Sequence, residues 1–271
     1  MDYISVKEAS ERWGISERRV RALCESGRIE GVTRCGAWVW SIPAGTQRPA
    51  DGRTLRHIKN RSLRTGSQDF KKADALKKTR SGAPVNEETQ IKLIRTAFAL
   101  EDENLGESLV KGILRLETQD LPLETQINVL NMKSVLANLP YEVSDSSLKD
   151  VNRRLLINTD EKNGGRYSLT EDQRQQTEAM LLQYQGPWSV LHPVARAAFI
   201  FSEILRIRPF AKANERLAVV FLENELIKAK LPPAVLTADR VPEISAALAS
   251  TRIRGNSQEL VKIILEALEG K

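Results

Sequence analysis

From residue 86 onward, apolar residues recur at intervals of three and four, a spacing that packed amphipathic helices bury and strands do not. Ile91, Leu93, Ile94, Ala97, Phe98 and Leu100 form the first stripe. Leu109, Ile113, Leu114 and Leu116 form the second, and Leu123, Ile127, Val129, Leu130, Val135, Leu136 and Leu139 the third. Thr170, followed by Glu171 and Asp172, opens another helix that runs through Met180, Leu181 and Leu182. His192 and Pro193 start an apolar helix carrying Ala197, Ala198, Phe199, Ile200, Ile204 and Leu205. Residues 217–230 make the next, stopped before Pro232 and Pro233. One interruption breaks the pattern. Leu155, Leu156 and Ile157 lie before Asn163, Gly164 and Gly165, with Tyr167, Ser168 and Leu169 after, and this reads as a β-hairpin. The expected fold class is mostly α, with an all-helical domain and a hairpin flap over residues 86–271.

Residues 1–47 carry a different signal. Ser5 precedes a helical pattern with Glu8 three residues on, the spacing of a capping box. Val6, Ala9 and Trp13 share a face, and Gly14 supplies the positive φ that ends such a helix. Ile15 anchors the turn, Ser16 caps a second helix, and Val20, Leu23 and Cys24 point inward. Gly27 closes that helix, and residues 29–34 and 38–42 read as a hairpin around Cys35, Gly36 and Ala37. This order resembles the excisionase and MerR-like helix-turn-helix group. The resemblance implies a winged helix-turn-helix whose second helix enters the major groove of double-stranded DNA and whose wing touches the backbone. Ser16, Arg18, Arg19 and Arg21 become candidate recognition residues, and Arg34 and Trp38 candidate wing contacts. An arginine fork matches guanine edges and phosphates. Taken singly, each arginine is also an ordinary helix charge beside Glu17 or Glu25, and Trp38 is better suited to core packing. One such module reads few base pairs, so a homodimer or higher homo-oligomer is expected.

The net charge of +6 is unevenly placed. Residues 1–47 sum to +1, residues 48–80 to +8 and residues 81–271 to −3. The segment 48–85 is therefore a basic linker, rich in Gly, Pro, Ser and Thr, with short helices expected at 55–63 and 68–78. It serves either as an arm over phosphates or as a hinge. Cys24 and Cys35 are the only cysteines, and with only His57 and His192 beside them neither a disulfide framework nor a metal site is expected. No apolar run approaches the ~20 residues that span a bilayer, and no signal peptide is visible, so a cytoplasmic protein without a membrane partner is expected.

The last motif runs from Ile207 to Arg216. Its Pro209, Phe210, Asn214 and Arg216 resemble the signature loop of Fic-domain proteins, which commonly transfer AMP from ATP to a protein hydroxyl. That signature has a histidine base, proline, phenylalanine, a metal-binding acid, a small residue, asparagine, a second small residue and arginine. Here Arg208 stands at the base, Lys212 at the acid, and Ala213 and Glu215 at the small positions. A general base must accept a proton near neutral pH, which a guanidinium does not do. An ammonium repels the divalent cation that an acid would hold. The family's second arginine, three residues after the first, is Val219 here. Its inhibitory glutamate has Glu101 as nearest match, which this pattern leaves facing Val219 without an electrostatic partner.

Together these features predict a bacterial or plasmid-borne DNA-binding transcriptional regulator. Its Fic-like domain, a pseudoenzyme without cofactor, serves oligomerisation or contact with a partner or ligand. Two other readings stand beside it: an active or atypical protein nucleotidyltransferase, and an antitoxin-like regulator of a partner protein.

Overall fold

The computed structural model describes residues 3–25, 29, 31–34, 39–46, 65, 68–77, 85–117, 120–168 and 170–269. The chain divides into two compact units, Met1–His57 and Ile58–Lys271.

In the first unit, Ser5 caps α1 (Val6–Trp13). Its hydroxyl accepts the Glu8 N–H at 3.2 Å, and the Glu8 carboxylate accepts the Ser5 N–H at 2.7 Å. Two of the orphan donors at the helix start are thereby satisfied, and these bonds draw the Glu8 carboxyl below its usual pKa. Gly14, at φ 62°, turns the chain toward α2 (Glu17–Glu25). The Ser16 carbonyl accepts the Arg19 and Val20 N–H groups at 2.8 and 3.1 Å, which puts Ser16 at the start of that helix. A three-stranded antiparallel sheet completes the unit in the order β1 (Tyr3–Ile4), β3 (Trp40–Pro43), β2 (Thr33–Arg34). Ile4 lies opposite Ile42, and Arg34 opposite Trp40. The apolar positions of both helices close over Ile29 and Ile42 as one core. The expected turn at 35–37 lies outside the described residues.

The first helix among the described residues of the second unit is short, α3 (Lys71–Leu76); the helix expected at 55–63 lies outside the described residues. Nine longer helices follow among the described residues: α4 (Glu87–Leu100), α5 (Glu107–Leu114), α6 (Leu123–Ala137), α7 (Asp145–Leu155), α8 (Glu171–Gln185), α9 (Pro193–Ile207), α10 (Asn214–Lys228), α11 (Val241–Arg254) and α12 (Gln258–Leu268). Side chains fix several starts. Asn86 accepts from Thr89, Ser144 from Ser147 and Thr170 from Gln173. Helix α10 is the axis of the unit. Every residue from 214 to 226 is buried, and its most extensive contact is with α9. A helix buried on all sides can bond its polar side chains only to other protein groups. Glu225 does so by accepting from the Tyr184 hydroxyl at 2.6 Å and from Arg196 at 2.5 Å.

Three expectations change. The 155–169 segment is not a hairpin. Leu155 and Leu156 are buried at the end of α7, and residues 156–166 continue as successive turns. Gly165 explains why. Its N–H donates to Asn152 Oδ1 at 2.9 Å, its φ is 69°, and a Cβ there would meet the Lys149 carbonyl at 2.7 Å, so the turn lies flat on α7. Only Tyr167 pairs as a strand residue, in an isolated antiparallel bridge to Phe210; Leu169 lies outside the described residues. Leu116 and Leu123, placed on apolar faces by the sequence, are 80% and 70% exposed, because both sit at ends of the α5–α6 connection.

Candidate functional site

The loop between α9 and α10 is bracketed by two left-handed residues, Arg208 at φ 50° and Ala213 at φ 62°. It closes on itself through Asn214, which is fully buried. The Asn214 amide accepts the Phe210 N–H at 3.0 Å and donates to the Phe210 carbonyl at 2.7 Å. Phe210 is buried and meets the Tyr167 ring at 4.9 Å, while the Ser168 N–H donates to the Pro209 carbonyl at 3.2 Å. Asn152, also buried, ties the same loop from below by donating to the Lys212 carbonyl at 3.0 Å. Pro209, Phe210 and Asn214 therefore fix the backbone, and they do so without any charged group.

Each charged side chain of the loop has an opposite partner. Arg208, 55% exposed, pairs with the nearly buried Glu215. Lys212 lies 3.4 Å from Glu124 and 3.5 Å from Asp160. Partial burial alone would lower the Lys212 pKa, but these two carboxylates outweigh it and hold it above the usual lysine value. Asp160 is drawn down by its Asn163 hydrogen bond and by Lys212. Arg216 is 4% exposed and donates to Glu101 at 3.0 Å and to the Leu155 carbonyl at 3.4 Å. Its guanidinium also lies 5.3 Å from the Phe98 ring centre. Burial raises the Glu101 pKa in spite of that arginine, so desolvation outweighs attraction at this pair.

This corrects the sequence reading of Glu101. Val219 is buried and apolar, but Glu101 does have a partner, the loop's own Arg216. The 115 residues that separate the two carry no sequence signal of their meeting. Likewise, Asp160 and Glu124 were not foreseen as the acids around Lys212.

No histidine stands in this loop, where position 208 is an arginine. His192 caps the far end of α9, where its Nδ1 accepts the Val194 N–H at 3.3 Å. Among the described residues, no group of three His, Cys, Asp or Glu is placed to hold a metal. No described helix is long and apolar enough to cross a membrane.

In the first unit, Ser16 and Arg18 are exposed, and Arg19 and Arg21 are half-buried. Arg21 is tied to Glu17 at 2.6 Å, one turn back on α2. Arg34 lies over the Trp40 ring at 5.4 Å, a contact the sequence reading missed. Trp38 lies outside the described residues.

Residues 129–226, which include the whole loop, match the profile of the Fic/DOC family. No curated protein matches the chain. Among solved structures, a fragment of Fic-1 from C. elegans superposes with a TM-score of 0.63 at 18% identity, covering 81% of this chain and 69% of that one. A Fic-domain-containing signalling protein from Bacteroides thetaiotaomicron gives 0.58 at 16% identity, covering 74% of this chain and 95% of that one. A Fic family protein from Desulfovibrio desulfuricans gives 0.57 at 16% identity, with 80% and 70% covered. The helical unit is thus a Fic-like fold, at identities that speak to fold alone.

Proposed function

We propose that this chain is a DNA-binding regulator whose Fic-like unit does not transfer nucleotides and acts instead in self-association or partner contact. The observation that carries this reading is the closed electrostatics of the loop. The residue at the base position is an arginine engaged by Glu215, and the residue at the acid position is a lysine engaged by Glu124 and Asp160. Arg216, the remaining cation that resembles a phosphate ligand, is sealed under Glu101. A phosphate would have to displace a carboxylate from each.

The DNA half of the reading rests on the first unit's resemblance to winged helix-turn-helix modules. Two short helices with a capped start and a glycine turn support it, as does the antiparallel pairing of β2, which carries Arg34, with β3. Footprinting on the DNA upstream of the protein's own gene tests it, with Arg18→Ala/Arg19→Ala as control. A protected site that the double substitution abolishes is expected. Binding that is equal on random DNA and disappears with salt would refute sequence-specific recognition.

A second reading, protein nucleotidyl transfer, is favoured by the family match over residues 129–226. Incubation with labelled ATP and magnesium or manganese decides it. Label retained on protein after denaturation would overturn the pseudoenzyme reading outright. Pull-down from the native host tests the third reading, an antitoxin-like contact with a partner.

A further inference from the structure

Helix α11 (Val241–Arg254) packs against α9 and α12 and carries no charge from Ile244 to Thr251. A surface helix ordinarily turns charged side chains to water. Here Ser245, Ala246 and Ala249 are exposed, and Ile253 is 79% exposed. Ser245, Leu248 and Ala249 also form one wall of a cavity of about 440 Å3, and Leu205 of α9 lies in its other wall. A large apolar side chain therefore stands in water beside a cavity with apolar walls.

The charges resume at the two ends of the helix, and they differ in sign. Glu243 is exposed and lies 2.8 Å from Arg240. Arg254 is exposed and has no ion-pair partner among the described residues. At 3.6 residues per turn, Glu243 and Arg254 stand about 20° apart around the axis and about 16 Å apart along it. They share one flank. A two-fold axis crossing two such helices midway lays them antiparallel, sets equal flanks against each other and reverses the ends. Each Glu243 then comes level with the second copy's Arg254, and this happens twice in one interface. Arg252, on the opposite flank, comes level with the second copy's Ser245, so like charges are kept apart. A parallel pairing would set Glu243 beside Glu243 and Arg254 beside Arg254.

We propose that this side of α11 binds a second copy of the chain, antiparallel about a two-fold axis level with residues 248 and 249. Ile253 is the knob. The axis brings it over the second copy's Ser245, at the wall of the cavity that Leu205 and Leu248 line. Burial of Ile253 drives the association, and the two Glu243–Arg254 pairs set its direction. The proposal names the partner in the self-association half of the proposed function and rests on that reading. It depends neither on DNA binding nor on the chemistry of the loop.

Sedimentation equilibrium of the full chain from about 1 to 100 µM tests it, a range suited to a small interface. The wild type should associate to a dimer. Ile253→Arg should weaken the dimer by at least about tenfold, the scale of burying one isoleucine. Since Ile253 stands in water, the circular dichroism of that variant should be unchanged. Glu243→Arg and Arg254→Glu should each weaken the dimer, because each sets like charges together twice, and the double variant should recover it. Within one copy the two side chains are too far apart along the helix to pair, so recovery reports a contact between copies. A dimer that Ile253→Arg leaves intact overturns this surface while self-association stands. A dimer lost in Ile253→Arg but not recovered in the charge-reversed double variant overturns the antiparallel register. A wild type that stays monomeric at 100 µM overturns both this surface and the self-association reading, and leaves the exposed side of α11 to a different protein.

Discussion

The Glu101–Arg216 pair makes an asymmetric prediction. Glu101 is mostly buried and its carboxyl is already pushed up by desolvation, whereas Arg216 is 4% exposed. Replacing either partner by methionine strands the other. The stranded groups differ, because a carboxylate can take a proton and a guanidinium cannot. In Arg216→Met, Glu101 folds neutral. Its folded pKa lies above 4.5, so its contribution is full below pH 4.5 and is lost as pH rises through the folded value. At about 1.4 kcal/mol per pH unit, neutralising it costs about 3 kcal/mol at pH 7 and under ~1 kcal/mol at pH 5. In Glu101→Met, the buried cation has no such escape and the cost stays at about 3–5 kcal/mol across that range. The double methionine variant should be more stable than either single one, since a well-packed apolar pair often replaces a buried ion pair at little cost. Urea unfolding at pH 5, 6, 7 and 8 of the four proteins measures all of this. Parallel losses in both single variants at every pH, or a double variant whose loss equals the sum of the two, would refute the reasoning.

Three further outcomes follow from single residues. Glu223 is fully buried, accepts only the Ala234 N–H at 3.2 Å, and has its other oxygen unbonded, so its pKa is well above 4.5. Its contribution to stability is therefore lost as pH rises, and Glu223→Gln should gain on the wild type by up to about 1.4 kcal/mol per pH unit on the way to pH 8; a gap that does not change with pH would contradict this. Gly165→Ala, with a Cβ 2.7 Å from the Lys149 carbonyl, should cost about 1–3 kcal/mol, read by thermal melting. Ser5→Ala removes a capping box and should cost the first unit about 1 kcal/mol, read by chemical denaturation at a probe confined to that unit, such as Trp13 or Trp40 fluorescence.

Helix faces were legible because burial imposes a local period. Ile91, Leu93, Ile94, Ala97 and Phe98 were placed correctly from spacing alone, and all are buried. The run Leu155, Leu156, Ile157 misled because three apolar residues suit the end of a helix as well as a strand. What separated the two was Gly165 lying on Lys149, a contact between segments with no shared local pattern. Strand β1 is two residues long and could not announce itself. The loop was legible as a motif, and Phe210 and Asn214 sit where that motif implies a folded turn. The acids around it were not, since Glu101, Glu124 and Asp160 arrive from three other parts of the chain and only tertiary packing brings them to Arg216 and Lys212.

Lys212 has one more consequence. Its ammonium stands between Glu124 and Asp160 as a counter-ion attached by covalent bonds. A free ion at such a place would come and go with its concentration, and the surface would weaken whenever the surroundings ran short of it. A tethered one is present at fixed stoichiometry from the moment the chain folds. This face of the protein therefore draws on no free divalent cation to balance these two carboxylates, while dissolved salt still screens so exposed a pair. Its melting temperature should be the same in excess magnesium and in excess chelator, a constancy that a surface closed by a borrowed cation would not have.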